Sequence, residues 1–144
     1  MQIYDRGRQS MLDVTIESSA SGNAKKIEMR SASPTRSQHF GTMSVAPQLN
    51  SLRLLSIENH KRTAVRQVGG RFLEIADRMR SDLGLSSVSL ICQDEGAAKF
   101  FYKTGFRFVG SDADAKNSAL KHHIDHPEDA LPDEIVFLGD MEKK

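Results

Sequence analysis

The sequence predicts one α/β domain in which strands dominate the first half and strands and helices alternate in the second. Apolar and polar residues alternate from Met11 to Arg30, a pattern typical of a β-hairpin around Ser21-Gly22-Asn23. Beyond residue 65 the apolar residues recur at a three- or four-residue spacing, which predicts a helix. A short apolar run from Val88 to Cys92 then predicts a buried strand.

Length and composition exclude several classes of protein. A chain of 144 residues, 38% of them hydrophobic, can bury a core without metals or disulfides. Its 20 Lys and Arg residues balance 19 Asp and Glu residues, which disfavours a nucleic acid or an anionic membrane as partner. Cys92 is the sole cysteine, and neither a signal peptide nor an apolar run of about 20 residues is evident. We therefore expect a soluble cytoplasmic protein.

The remaining strands of the first half are assigned from shorter patterns. The segment Phe40 to Val45 is predicted as a strand that ends before Pro47. Leu52 to Ile57 carries apolar residues on both faces and is predicted to lie in the middle of the sheet. His39 follows a polar loop and is predicted to be a solvated residue without a role.

The second half is predicted to contain two helices and three strands. The first helix runs from Val65 to Leu83, with Gly84 as its C-terminal cap, and Asp94 caps a second helix that reaches Lys103. The strands are Val88 to Cys92, Phe106 to Val109, and Glu134 to Leu138, with a helical turn or two between residues 113 and 123. Phe100, Phe101, Phe106 and Phe108 are expected in the core rather than in a base-stacking surface.

Paired glycines near the start of the first predicted helix, Gly69 and Gly70, are unusual because glycine destabilises a helix by about 1 kcal/mol relative to alanine. They suggest that the backbone closely approaches a bound group, and the N–H groups of a helix amino terminus bind phosphate. Arg62, Arg66 and Arg71 flank them. The alternative is that the glycines allow the helix to pack closely on the sheet.

Two segments together resemble the GNAT superfamily of acyl-CoA-dependent N-acyltransferases. The segment Asp94-Glu-Gly-Ala-Ala-Lys-Phe-Phe-Tyr-Lys-Thr-Gly-Phe106 resembles the superfamily's Asn-x-x-Ala-x-x-Phe-Tyr-x-x-x-Gly-Phe pattern. The preceding Arg66-Gln-Val-Gly69-Gly-Arg71 is similar to its pyrophosphate-binding loop. The resemblance covers Leu52 to about Val109 and implies a mixed, largely antiparallel sheet with helices on both faces. It also implies that two neighbouring strands splay apart around an acyl-CoA co-substrate, most simply acetyl-CoA.

By this resemblance, the residues expected to bind the cofactor are Leu55, Ser56, Ile57, Arg66, Gln67, Val68, Gly69, Gly70, Arg71, Asp94, Ala97 and Phe101.

Three departures from the pattern stand out. Arg71 replaces a glycine or alanine, so either the loop is shifted or the Arg71 side chain binds a phosphate. The family's tyrosine falls on Phe101, and Tyr102, one residue later, is predicted as proton donor to the thiolate. No helical stripe precedes Leu52, so the usual helical wall of the acceptor cleft is reduced or absent. Either the acceptor cleft is then shallow and open, or another subunit completes it, or the enzyme is degenerate.

The chemistry of acyl transfer needs a group that deprotonates the amine. Glu58, at the end of the central strand, is predicted as this general base by resemblance, and His60 is the rival candidate. The alternative for Glu58 is an ordinary solvated glutamate in a loop. His122, His123 and His126 match no metal-binding spacing and are expected in a polar loop or an acceptor-contacting lid. Cys92 is expected to be a core residue rather than a nucleophile.

The sequence therefore predicts an N-acetyltransferase that moves an acetyl group from acetyl-CoA directly to an amine. The amine belongs to a small molecule or to a protein, and the enzyme is expected to bind no metal and to be capable of forming a homodimer. Two alternatives stay open. The domain could bind acyl-CoA or protein partners without catalysis, or it could be an unrelated α/β domain that binds no CoA.

Overall fold

The computed structural model describes residues 1–5, 10–32, 39–60, 65–66 and 68–144. They form two compact units, Met1–Ser86 and Ser87–Lys144. Every strand pair within each unit is antiparallel, and this confirms the predicted mixed α/β class with a largely antiparallel sheet. The assignment of the whole chain to one domain stays a prediction.

The described residues of the first unit form six strands and one helix. The strands are β1 (Gln2–Asp5), β2 (Ser10–Ser21), β3 (Ala24–Ser31), β4 (His39–Pro47), β5 (Ser51–Asn59) and β6 (Val65–Arg66), and helix α1 spans Val68–Asp82. Their order in the sheet is β6-β1-β2-β3-β4-β5. The predicted hairpin is confirmed as β2 and β3. Its two-residue turn uses Gly22 at a φ of 62°, a left-handed conformation that glycine adopts without steric cost.

Helix α1 packs on one face of this sheet. The side chains that it buries are those of Val68, Phe72, Leu73 and Ala76. The apolar residues predicted to face the sheet, from Val65 to Leu83, were wrong at both ends of the helix. Val65 belongs to β6, and Leu83 is 53% exposed. Gly84 follows the helix at a φ of 69°, and the Leu85 N–H donates back to the Arg80 carbonyl, which confirms the glycine cap.

Gly41 in β4 is the point at which α1 and the sheet approach each other most tightly. A Cβ atom at this position would lie 2.8 Å from Phe72 Cε2 and 3.0 Å from Val68 Cγ1. It would also lie 2.5 Å from the backbone oxygen of Glu58 on the neighbouring strand. Close helix-to-sheet packing therefore depends on Gly41, whereas a Cβ atom at Gly70 would meet no atom within 4 Å; for Gly69 this alternative stays a prediction.

The second unit contains three strands and two helices. In chain order they are β7 (Ser87–Cys92), α2 (Glu95–Lys103), β8 (Arg107–Phe108), α3 (Ala113–Asp125) and β9 (Gly139–Lys143). Strand β9 lies between β7 and β8. The core residues of this unit include Leu90, Ala98, Phe101, Phe106, Phe108, Leu120, Phe137 and Met141. The prediction of four core phenylalanines was wrong for Phe100, which is 38% exposed. Helix α3 is longer than the predicted turn or two.

The last strand was predicted over Glu134 to Leu138, and this was wrong, because the strand is β9, five residues later. The apolar residues of the predicted segment serve another purpose. Phe137 is 1% exposed, and its N–H donates to Glu95 Oε1 at 3.2 Å. Strand β9 has a single fully buried residue, Met141, which pairs with Leu90 of β7. Every helix in the described ranges is too short or too polar to cross a membrane.

Candidate functional site

A polar face of the first unit's sheet lies opposite α1. Gly41, Met43 and Val45 of β4 point to the buried side, and the intervening residues Thr42 and Ser44 point to the other side. A pocket of about 400 Å³ opens on this polar face, and its lining residues are Lys26, His39, Thr42, Ser44, Ser56, Glu58 and His60. The described part of the chain before Leu52 contains no helix, as predicted, and residues 52–60 and 65–66 contain none either. The pocket is therefore built from strands and contains both candidate bases.

A β-bulge interrupts β5 beside this pocket. Ser56 pairs with Ser44 and Leu54 pairs with Val45, so Leu55 is an extra residue without a partner in β4. The side chain of Leu55 is 54% exposed, although leucine is usually buried. The predicted cofactor residues Leu55, Ser56 and Ile57 thus lie at a break in the regular pairing of β5 with β4.

A second bulge determines where His39 points. Met29 pairs with Gly41 and Arg30 pairs with His39, which leaves Phe40 as the extra residue in β4. In a regular strand His39 would share the buried face of Gly41, because side chains alternate between faces. The bulge instead places His39 on the polar face with Thr42. The Phe40 carbonyl also accepts a hydrogen bond of 2.9 Å from the His60 N–H.

The two histidines are joined through one hydroxyl group. Thr42 Oγ1 lies 3.0 Å from His39 Nε2 and 3.5 Å from His60 Nε2. The two imidazole rings are tilted against each other with centroids 4.7 Å apart. Glu58 Oε2 lies 3.9 Å from His60 Nε2. The structure thus brings together both predicted base candidates, and it adds His39, which the sequence interpretation left without a role.

The other charged residues of this face are paired with one another. Lys26 Nζ lies 3.3 Å from Glu28 Oε1, and Arg30 donates to Glu28 Oε2 at 2.9 Å. The hydrogen bonds from Arg30 and Lys26 lower the pKa of Glu28 below its ordinary value. Arg30 also lies 3.5 Å from Glu17. The Glu58 carboxylate makes no contact with this group among the described residues, so it contributes negative charge at the histidine end of the pocket.

The predicted phosphate-binding loop falls at the amino terminus of α1. The first helical residues are Val68, Gly69, Gly70 and Arg71, whose N–H groups have no partners within a helix. The first turn contains no acidic side chain to compensate the positive end of the helix dipole. A Cβ atom at Gly70 would meet no heavy atom within 4 Å, so packing does not require glycine there.

The other residues of this loop differ in their surroundings. The Val68 side chain is fully buried, so only its backbone could contact a ligand. The Arg71 guanidinium donates to the Gln2 carbonyl at 3.0 Å and to Glu74 Oε2 at 3.0 Å. Arg71 is thus engaged by β1 and by its own helix. The backbone of Arg66 pairs with Tyr4, whereas Gln67 and Arg62 lie outside the described residues.

The second motif is formed by α2 in the second unit. Asp94 is the N-cap, and its carboxylate accepts a hydrogen bond of 2.9 Å from the Gly96 N–H, as predicted. Ala97 is half-buried and Phe101 is 7% exposed. The Arg107 guanidinium lies 3.6 Å from the centre of the Tyr102 ring, and it donates to the Tyr102 carbonyl at 2.8 Å. Phe101 therefore belongs to the core, and Tyr102 is held by a cation–π contact.

We expect Asp94→Ala to lower the free energy of unfolding by about 1 kcal/mol, because it removes the acceptor that satisfies the Gly96 N–H. The melting temperature should fall by about 3 °C in calorimetry. Asp94→Asn is the matched control, since its amide oxygen can accept the same hydrogen bond. An equal loss in both variants would contradict the capping role.

The histidines near the end of α3 do not form a metal site. His122 Nε2 lies 2.9 Å from Asp129 Oδ2, and His123 Nδ1 lies 2.8 Å from the Asp129 carbonyl. Within the described ranges, no group of three potential ligands is arranged to hold a metal ion. Cys92 is 1% exposed, and burial raises the pKa of its thiol, as expected for a core residue rather than a nucleophile.

Comparison with known proteins identifies the fold. No family model matches the sequence, and no curated protein matches it either. Solved structures do match. The PaiA N-acetyltransferase of Thermoplasma acidophilum in complex with coenzyme A superposes with a TM-score of 0.57 at 17% identity. The match covers 85% of this chain and 61% of the length of that protein.

Two further structures match over nearly their whole length. The IAA acetyltransferase of Bacillus cereus has a TM-score of 0.60 at 12% identity, covering 91% of this chain and 99% of that one. A Bacillus subtilis acetyltransferase in complex with CoA has a TM-score of 0.60 at 10% identity, covering 92% and 99%. A matching structure from Elizabethkingia anophelis is described as a GNAT family acetyltransferase with acetyl-CoA bound. The predicted GNAT-like fold is confirmed.

Proposed function

We propose that the protein is an acyl-CoA-dependent N-acyltransferase that transfers an acetyl group from acetyl-CoA directly to an amine. The observation that carries the proposal is the amino terminus of α1. Gly70 there has open space where a side chain would be, and the first turn lacks an acidic residue. The fold in which this helix occurs is shared with acetyltransferases whose structures contain CoA or acetyl-CoA.

The backbone amides of residues 68–71 are the proposed ligands of the CoA pyrophosphate. Helix amino termini suit phosphate groups because their N–H groups are unpaired and the dipole is positive there. A glycine at position 70 lets a phosphate oxygen approach the backbone without steric hindrance. The Arg71 side chain is not needed for this contact, since it binds Gln2 and Glu74. The bulged backbone of Leu55, with Ser56 and Ile57, is the proposed partner of the cofactor's pantetheine.

The pocket of the polar face is the proposed acceptor site. An amine arrives as a cation at neutral pH, and the Glu58 carboxylate at the histidine end of the pocket attracts it. Glu58 is the proposed general base, which takes a proton from the nitrogen as this attacks the thioester carbonyl. The carbonyl carbon then releases the CoA thiolate, to which Tyr102 is the proposed proton donor. Overall, one C–N bond forms and one C–S bond breaks.

A second candidate function is acyl-CoA binding without catalysis. The observation that favours it is the state of the proton-donor position on α2. Phe101 occupies the place of the family's tyrosine and is buried, and the Tyr102 ring is covered by Arg107. If Tyr102 cannot donate, the proton for the thiolate has to come from another source, such as solvent. This function would be supported if the protein binds acetyl-CoA but releases no free CoA when amines are added.

The first test is calorimetric titration of acetyl-CoA and CoA into the protein and three variants of Gly70. We expect Gly70→Glu to abolish binding, because the carboxylate places bulk and negative charge where the pyrophosphate would lie. Gly70→Gln adds nearly the same bulk without the charge, and it should bind with an intermediate affinity. Gly70→Ala should lose least. Folding should persist in all three variants, since a side chain at this position meets open space.

Two outcomes would contradict the proposal. Absence of acetyl-CoA binding by the unaltered protein would leave a domain that shares the fold alone. Binding that is equally strong in Gly70→Glu would place the cofactor away from the α1 amino terminus. If the loss follows the expected order, release of free CoA should then be measured against a panel of amines that includes polyamines, amino acids and lysine peptides.

A further inference from the structure

The geometry points to a proton-accepting unit formed by His39, Thr42 and His60 beside Glu58. We propose that the Thr42 hydroxyl holds the two imidazoles in opposite tautomers, and that His60 thereby removes the first proton from the acceptor ammonium. Thr42 and His39 are positioning residues in this scheme. The catalytic part of the inference rests on the proposed acyltransferase function, whereas the arrangement of protons can be tested without it.

The single proton of the Thr42 hydroxyl group links the tautomers of the two rings. Thr42 Oγ1 carries one proton to donate and also accepts, and it faces Nε2 of both rings at 3.0 and 3.5 Å. If it donates to one Nε2, that nitrogen must be bare, and the other Nε2 must carry a proton to donate to the oxygen. Two bare Nε2 atoms would leave one contact without a proton, and two protonated Nε2 atoms would turn the hydroxyl proton away from both rings. Opposite tautomers place one proton in each contact and keep the Thr42 proton between the rings.

Glu58 selects which ring carries which tautomer. Its Oε2 lies 3.9 Å from His60 Nε2, and a nearby carboxylate favours a proton on the nitrogen that faces it. His60 therefore has a proton on Nε2 and a bare Nδ1, while His39 accepts the Thr42 proton at Nε2 and is protonated on Nδ1. The bare Nδ1 of His60 is the atom that can accept a proton from an ammonium group. Imidazole exchanges protons readily near neutral pH.

The backbone holds this arrangement in place. The bulge at Phe40 moves His39 to the polar face, and the carbonyl of the same bulged residue accepts the His60 N–H at 2.9 Å. One irregularity in β4 thus positions both histidines. The other charged side chains described on the same face include Glu58, Lys26, Glu28, Arg30 and Glu17, of which the last four are joined by ion pairs. Arg30 lies across from His39 in the sheet, but its guanidinium is engaged by Glu28 and Glu17, whereas the Glu58 carboxylate lies 3.9 Å from His60 Nε2.

The proton balance of the reaction has a place for such a unit. Conversion of an ammonium group into an amide removes two protons from nitrogen, one of which ends on the CoA sulfur while the other is released to solvent. His60 takes the first proton and becomes an imidazolium, which the Glu58 carboxylate stabilises. The neutral amine can then attack, and Glu58 takes the second proton. His60 then releases the proton from Nδ1 to solvent, which restores its bare Nδ1 and leaves the hydrogen bonds to Thr42 unchanged.

The test is a long-range ¹H–¹⁵N NMR correlation of the ¹⁵N-labelled protein at a pH where both rings are neutral. We expect a protonated Nε2 in His60 and a protonated Nδ1 in His39, assigned with His39→Gln and His60→Gln. Thr42→Val, which removes the hydroxyl at nearly constant volume, should abolish this difference. Thr42→Ser should preserve it. Identical tautomers in the unaltered protein, or no change in Thr42→Val, would overturn the inference.

A kinetic measurement separates this inference from the proposed function. With spermidine or whichever amine of the panel releases CoA, Thr42→Val should lower kcat about 10-fold or more at an unchanged KM for acetyl-CoA. Thr42→Ser should stay within about 3-fold. If no amine of the panel is acetylated while the opposite tautomers are observed, the proposed function fails and the hydrogen-bonded unit stands. If acetylation occurs and Thr42→Val leaves both kcat and its pH profile unchanged, the catalytic part of the inference is wrong.

Discussion

Replacing Gly41 with alanine should lower the free energy of unfolding by about 3 kcal/mol, although it adds a single methyl group. The new Cβ would lie 2.5 Å from the Glu58 backbone oxygen, which is fixed by the pairing of β4 with β5. Phe72 Cε2 at 2.8 Å and Val68 Cγ1 at 3.0 Å close the remaining space. Relief of these contacts requires α1 to move away from the sheet, which exposes part of the core. Chemical denaturation followed by circular dichroism measures the loss.

Gly70→Ala is the matched control, because it makes the same substitution 29 positions later in the same unit. The added Cβ there meets no atom within 4 Å, and alanine favours a helix more than glycine does. The variant should therefore be as stable as the unaltered protein, or more stable by up to about 1 kcal/mol. A loss in Gly41→Ala no larger than the change in Gly70→Ala would show that α1 does not rest against Gly41.

The sequence predicted elements whose apolar pattern is local and missed those whose pattern is not. The hairpin of β2 and β3 was predicted correctly because alternation along each strand and a Gly-Asn turn suffice to specify it. The last strand was misplaced because Ile135, Val136, Phe137 and Leu138 have the composition of a strand. The actual strand, β9, is held mainly by backbone pairing with β7 and β8 and by one buried residue, Met141. Tertiary pairing of this kind leaves little trace in the composition of a segment.

The candidate site was predicted in part for a similar reason. Glu58, at the end of a strand, was identified by resemblance to a family that often has a carboxylate base there, with His60 as its rival, and Asp94 was identified as a cap from its place before a helix. His39 was set aside because a lone histidine beside a polar loop is usually a solvated residue, and a regular strand would not place it near His60. The bulge at Phe40 supplies that reason, and bulges have no dependable signature in a single sequence. Thr42 likewise gained significance only from its distances to the two rings.

On the proposed function, Glu58→Gln should reduce kcat/KM for the amine by about 100-fold or more, since general bases contribute roughly 10²- to 10⁴-fold. Glutamine keeps the shape of the side chain but cannot take up the proton that nitrogen loses during attack. Affinity for acetyl-CoA, measured by calorimetry, should stay unchanged. The measurement is the initial rate of CoA release with the amine that the panel identifies. An unchanged kcat/KM would remove Glu58 from the reaction.

A control on the same face separates the chemistry from the loss of a negative charge. Glu17→Gln also removes an exposed carboxylate from this face, with 63% of its side chain accessible compared with 65% for Glu58. It should change kcat/KM by no more than about 2-fold, because surface charges at a distance are largely screened.

His60→Gln should lower kcat about as much as Glu58→Gln if the two groups remove successive protons. If His60→Gln is harmless while Glu58→Gln is not, Glu58 takes up the protons alone, and the histidine pair is a structural feature of the polar face.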